Sequence, residues 1–287
     1  MLKFRFGILL LCVFLVSMTL DKPAYQIFDV RGKKTTYDKM LKDISECEVV
    51  LFGEMHDNPI SHWLELQLTK DLFNIKKQDL ILGAEMFEAN DQSLIDKYLK
   101  GEMVEDTFRK QARLWKNYGT DYKPLMEFAR NANLKVVATN IARKYAGLVM
   151  KGGFGKLDSL SATEKKYMAP LPIEYDPELE QYKKMTENAD TSHKSPNLPK
   201  AQAIKDATMA HFIQANMASG KLFVHFNGTY HSDFYEGIMW YLKRKNADMR
   251  ILTIATVEQT DITKLTPDNI MAADYIICVP DDMTKTY

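Results

Sequence analysis

Cysteine is too scarce here to build a disulfide scaffold. The 287 residues hold three, Cys12, Cys47 and Cys278, so a chain of this size must rest on an apolar core. Sequence spacing leaves open whether Cys47 and Cys278 pair. Net charge is missing as well: 38 basic residues balance 38 acidic ones. That balance gives no electrostatic reason to expect nucleic acid or an anionic membrane as a partner. There is no low-complexity tract and no internal repeat, which sets aside solenoids and extended disorder. No H-E-x-x-H zinc helix, no G-x-S-x-G elbow and no G-x-G-x-x-G after a strand occurs. The run Gly152-Gly153-Phe154-Gly155-Lys156 has the glycines of a phosphate loop but neither its spacing nor its following Ser or Thr.

Long hydrophobic runs are confined to one place. Gly7 to Val16 is unbroken apolar sequence, preceded by Lys3 and Arg5 and followed by Ser17-Met18-Thr19. This pattern predicts an export signal over residues 1–20 and a chain destined for the periplasm or cell envelope. The run is too short to cross a bilayer as a helix, which takes about 20 residues. Leu11 precedes Cys12 where a lipoprotein signal carries a small residue, so the sequence provides no clear lipid anchor.

Over all 287 residues 46% are hydrophobic and 26% charged, the mix of an ordinary globular domain, here expected over residues 21–287. Six short apolar segments predict strands: Val49–Phe52, Leu80–Gly83, Lys135–Thr139, Leu222–Phe226, Ile251–Thr256 and Tyr275–Val279. Their near-continuous apolar character suits strands covered on both faces. Tyr25 to Tyr37 adds a small hairpin with its turn at Arg31-Gly32-Lys33. Helical patterns fill the gaps, with Trp63, Leu64, Leu68, Leu72 and Phe73 marking the first. The span from about Leu157 to Gly220 shows no strand. The predicted fold is therefore α/β, a mostly parallel central sheet flanked by helices. A smaller all-helical subdomain is expected from about 88–130 and 157–215.

The chemistry collects where the strands end. The first strand runs into Gly53-Glu54-Met55-His56-Asp57-Asn58-Pro59, and the second into Gly83-Ala84-Glu85-Met86-Phe87. The third ends at Asn140, with Arg143 close behind, and the fourth runs into Asn227-Gly228-Thr229-Tyr230-His231. In open parallel sheets that carboxyl rim is where loops converge on a ligand. Two histidines follow a glycine by three residues, directly after strands. Six histidines and 13 glycines give less than one such pair by chance.

These residues admit several uses. Glu54, His56, Glu85 and His231 carry the imidazole and carboxylate donors that suit zinc, manganese or iron. The same Glu and His residues suit general base and acid roles. Arg143 suits a bidentate contact with a carboxylate. Alternatively Glu85 and Arg143 form a buried ion pair and the histidines cap helices. His62 reads as a packing or surface residue, His225 as a satisfied core histidine and His211 as a helix-face residue. His193 lies in a loose polar stretch from which an axial ligand can come.

Taken in order, Val49-Val50-Leu51-Phe52-Gly53-Glu54-Met55-His56-Asp57-Asn58-Pro59, Leu82 to Phe87 with Asp91-Gln92, and Tyr122-Lys123-Pro124-Leu125 with Asn140-Ile141-Ala142-Arg143 resemble the ChaN-like haem-binding proteins. So do Gln202 with Asp206-Ala207-Thr208-Met209-Ala210, and Gly228 to His231. The resemblance runs from about residue 26 to 258. It implies an α/β domain with a smaller helical part, an envelope location, and haem binding in iron acquisition. It also implies a homodimer around haem and an outer-membrane haem receptor as partner. The wider superfamily holds Tiki-type metalloproteases and erythromycin esterases, whose paired G-x-x-H motifs and glutamate fall here on Gly53/His56, Gly228/His231 and Glu85. A haem carrier would use a Tyr, His or Met axial ligand, Tyr230 and His193 among them, with Asn140, Arg143 and Asp206 near the ligand. A hydrolase would use His56 and His231 to hold a metal that activates water, with Glu54 or Glu85 as base.

Overall fold

The computed structural model describes residues 22–187 and 195–287. Seven strands form one sheet: β1 Gln26–Asp29, β2 Val49–Glu54, β3 Leu80–Glu88, β4 Lys135–Asn140, β5 Leu222–Gly228, β6 Ile251–Gln259 and β7 Tyr275–Pro280. Their order across the sheet is β1-β7-β6-β2-β5-β3-β4. Every neighbouring pair is parallel except β1 with β7. The fold is the expected α/β class.

Alternation along β2 explains why the central strands read as unbroken apolar runs. Val50 and Phe52 face one core, with Leu82, Val224 and Ile254. Val49 and Leu51 face the other, with Ile81, Phe223 and Met209. A strand buried on both faces has no polar side to alternate. Each strand also continues past its predicted end. Glu54, Glu85, Asn140 and Gly228 lie within strands whose polar rim residues hid that continuation.

The chain leaves β2 toward β3 on one side and leaves β5 toward β6 on the other, although β2 and β5 are neighbours. Loops leaving adjacent strands in opposite directions open a crevice between them. The two G-x-x-H segments follow these two strands.

The N-terminal hairpin is shorter than expected. Asp29 and Lys33 close a tight turn with Gly32 at φ 74°, and Phe28 bridges Lys34. β1 then finds its partner in β7 at the far end of the chain. From 157 to 220 the described residues form helices and turns, chiefly Glu180–Glu187 and Leu198–Asn216. Among the described residues Cys47 and Cys278 are both free. No described helix is long and apolar enough to cross a membrane. The export signal expected over residues 1–20 lies outside the described residues.

Candidate functional site

The loop after β2 is short because Asn58 ends it. Its side chain accepts the amide hydrogens of Ile60 and Ser61, and Pro59 occupies the first helical turn of Pro59–Lys76. Asn and Pro in that order are helix-start residues, so the Asp57-Asn58-Pro59 part of the motif builds the turn. Glu54 at the strand end and His56 beyond it are left facing the crevice. Their side chains meet at 2.7 Å, His56 Nδ1 to Glu54 Oε1.

Glycine is required across the crevice by close approach. A Cβ on Gly228 would sit 2.6 Å from His56 Nε2 and 2.8 Å from its Cε1, closer than real contacts allow. The Gly228 amide donates to Glu85 Oε2 at 2.8 Å. Gly53 is pressed likewise, 2.9 Å from the Ile254 carbonyl oxygen if a Cβ were added. Gly228→Ala should therefore push His56 off Glu85 and lower stability by about 1–3 kcal/mol, as overpacking does. A thermal melt checks this. Adding His56→Ala to Gly228→Ala should remove the penalty, and a double mutant no better than the sum of the singles would refute the steric account.

Glu85 reaches the rim from a bulge in β3, where the pairing with β4 shifts register between Ala84 and Glu88. It receives His231 Nε2 at 3.1 Å and stands 4.0 Å from His56 Nε2. His231 Nδ1 makes a very short contact with Asp206 of the Leu198–Asn216 helix, and Tyr182 donates to the other Asp206 oxygen at 2.7 Å. Burial disfavours a charged His231, but Glu85 and Asp206 on its two nitrogens outweigh that and raise it to about 9. Burial raises Glu85, yet His231 and His56 hold it far below the ordinary carboxylate range. The result is a buried Glu85–His231–Asp206 relay in which His231 and Glu85 are charged at neutral pH. The alternative Glu85–Arg143 pair is not formed. Arg143 gives its backbone amide to Glu88 at 3.0 Å and presents its side chain to the crevice.

Behind His56 lies a second group that sequence reading missed. His62 is 6% exposed and Glu65 1%, where the sequence suggested a packing or surface histidine. His62 Nδ1 stands 3.2 Å from Glu65 Oε2 and 3.7 Å from Glu54 Oε2, and Nε2 donates to the His56 carbonyl at 3.0 Å. Tyr122, on a π-turn Tyr118–Tyr122, donates to Glu54 Oε1 at 2.6 Å. Asn117 donates to Asp121 at 2.7 Å and to the His56 carbonyl at 3.0 Å. Burial raises Glu54, but His56, Glu65 and His62 bring it down to about 2. Glu65 is pushed well up by burial, Glu54 and Asp121. The spacing of His62 and Glu65, three apart on a buried helix face, was a readable signal.

The crevice mouth is a cleft of about 1020 Å³, at the upper end of small-molecule sites. Trp115 forms part of its wall and meets the His56 ring edge-on at 4.7 Å. Glu54, Glu85, His56, His231, Tyr230, Asn140 and Arg143 all line it, while Asp206 is fully buried behind His231. Asn140 donates to the Glu85 carbonyl at 2.9 Å. Tyr230 is 61% exposed. His193 lies outside the described residues. His225 is the core histidine expected: it is held by Thr139 and Asn227 and lowered to about 4 by burial.

The family described as haem-binding uptake, Tiki superfamily, ChaN matches residues 40–242. No curated protein matches the chain. Among solved structures, a structure of cofacial haem binding to ChaN of Campylobacter jejuni is similar, with 17% identity, TM-score 0.64, and 88% of this chain and 96% of that one covered. An erythromycin esterase, EreC, in its open conformation is 10% identical with TM-score 0.53, covering 89% and 97%. A succinoglycan biosynthesis protein is 10% identical with TM-score 0.52, covering 90% and 94%. At these identities the likenesses show a shared fold.

Proposed function

Because this chain belongs to the haem-binding uptake family of the Tiki superfamily, ChaN, we propose that it binds haem in the rim cleft and serves haem or iron uptake in the cell envelope. One observation carries the reading: the cleft joins an exposed phenol, an apolar wall and free cations. Tyr230 supplies an oxygen ligand of the kind ferric haem accepts. Leu114, Trp115 and Ile141 give a wall for the porphyrin face. Arg143 and Lys205 line the same cleft and make no ion pair among the described residues, which suits them to propionates.

His56 is the weaker iron ligand. It is held between Glu54 and Glu85, and these acids outweigh burial and raise its pKa, which disfavours the unprotonated nitrogen that iron needs. The hydrolase reading meets the same obstacle, since His231 has both ring nitrogens against carboxylates. Haem is cargo in this reading, and a second copy of the chain would cover its outer face, in line with the cofacial arrangement named for the Campylobacter jejuni protein. The export signal read over residues 1–20 supports the envelope location.

A haemin titration of the purified chain without residues 1–20, read by visible absorbance and light scattering, tests this. The expected result is a saturable Soret shift with haem-dependent dimerisation, and a changed spectrum in Tyr230→Phe. A shift unaltered in Tyr230→Phe would move the ligand to His193 or another side chain. No saturable shift at all would remove the haem reading.

A further inference from the structure

The buried group behind His56 is chemically incomplete. Glu54, Glu65, Asp121, Glu85 and Asp206 are five carboxyl groups, and His56, His62 and His231 are the three imidazoles that face them. The carboxyl groups outnumber the imidazoles that can balance them. The shortage centres on one point. Glu54 Oε2 and Glu65 Oε1 are buried without a hydrogen-bond donor among the described residues, in residues that are 0% and 1% exposed. His62 Nε2 gives its hydrogen to the His56 carbonyl at 3.0 Å, which leaves the Nδ1 lone pair facing both carboxylates.

One donor atom each from Glu54, His62 and Glu65 lies within 4.8 Å of the others. We propose that these three residues bind one divalent cation of the zinc, manganese or iron(II) class beneath the floor of the cleft. Two carboxylates and one imidazole form a donor set used for such ions, at about 2.0–2.2 Å from each ligand, so small side-chain rotations complete it. The dication supplies positive charge where carboxylates outnumber their partners. The surroundings already have the form of an outer shell. The backbone carbonyl fixes the His62 tautomer, and Tyr122 holds the free oxygen of Glu54. Glu54 and Asn117 line the cleft, which gives the ion an entry path. This set shares only Glu54 with the rim residues Glu54, His56, Glu85 and His231. It stands apart from the haem reading, and each can fail alone.

The test uses the purified, chelator-stripped chain with ZnCl2, MnCl2 or anaerobic FeSO4, read by elemental analysis after desalting and by calorimetry. Cobalt(II) absorption reports the donor set. The wild type should retain about one equivalent of at least one metal. Glu65→Gln preserves shape and should keep the fold, yet weaken binding by at least about 100-fold, beyond the roughly 10–100-fold that outer-shell changes cost. His62→Gln should do the same. The proposal is overturned if no metal is retained by the wild type, or if a folded Glu65→Gln keeps its full equivalent. Metal kept in both variants but lost in Glu85→Gln would assign the ion to the rim instead and would equally overturn it.

Discussion

Replacing His231 with alanine should lower unfolding free energy by about 3–5 kcal/mol, the usual cost of leaving buried charges without their partner. Glu85 and Asp206 both point at its ring and both are almost fully buried, at 4% and 0% exposure. The effect should depend on pH in a defined direction. His231 is raised from an ordinary 6.5 to about 9 in the folded chain. A folded pKa above the unfolded value gives stability that is complete below about pH 6.5 and is lost as pH rises through 9. A rise of that size corresponds to about 3 kcal/mol. Urea unfolding of wild type and His231→Ala near pH 6 should therefore differ widely, and the gap should narrow by about pH 10. A gap that stays constant across that range would mean that packing, and not charge, holds the ring. Glu85 works from the other side. Its depressed pKa contributes stability above the unfolded value near 4.5, lost as the solution is acidified further.

That relay shows where sequence reading reached and where it stopped. The rim location was legible because four strands each end in ionisable or amide residues, and parallel sheets gather such ends in one place. Glu54, His56, Glu85 and His231 do meet there. Their pairing was not legible. Nothing in the chain says that Glu85 takes His231 at 3.1 Å in preference to Arg143, because a bulge in β3 sets its aim. Asp206 was read near the ligand, yet it stands behind His231 as that residue's second carboxylate. His62 and Glu65 were passed over for a related reason. They lie on a helix face with Leu64, Leu68 and Leu72 for neighbours, and apolar company reads as packing. The strand ends were underestimated because polarity, which ended each apolar run, does not end backbone pairing. The need for glycine at 228 was not legible from its spacing to His231: the residue is small so that His56 can lie against its backbone.

Charge reversal at the cleft should affect haem most. Arg143→Glu with Lys205→Glu should weaken haemin binding by roughly 100- to 10,000-fold, since each charge-assisted contact contributes roughly 1.5–3 kcal/mol. Arg143 is exposed and Lys205 half-buried, and both line the mouth beside Tyr230. Arg113 is the poorer choice because Glu88 already holds it at 3.0 Å. Neither substituted residue takes part in the buried relay, so folding should survive and a melt would verify it. The dimethyl ester of haemin separates charge from shape, because it keeps the porphyrin face and lacks the propionate charges. It should bind wild type more weakly than haemin does, and bind the double variant about as well as wild type. If the double variant loses the ester as completely as it loses haemin, the substitutions have damaged the apolar wall. If it binds haemin as tightly as wild type, the propionates lie elsewhere and the orientation proposed for haem in this cleft is wrong.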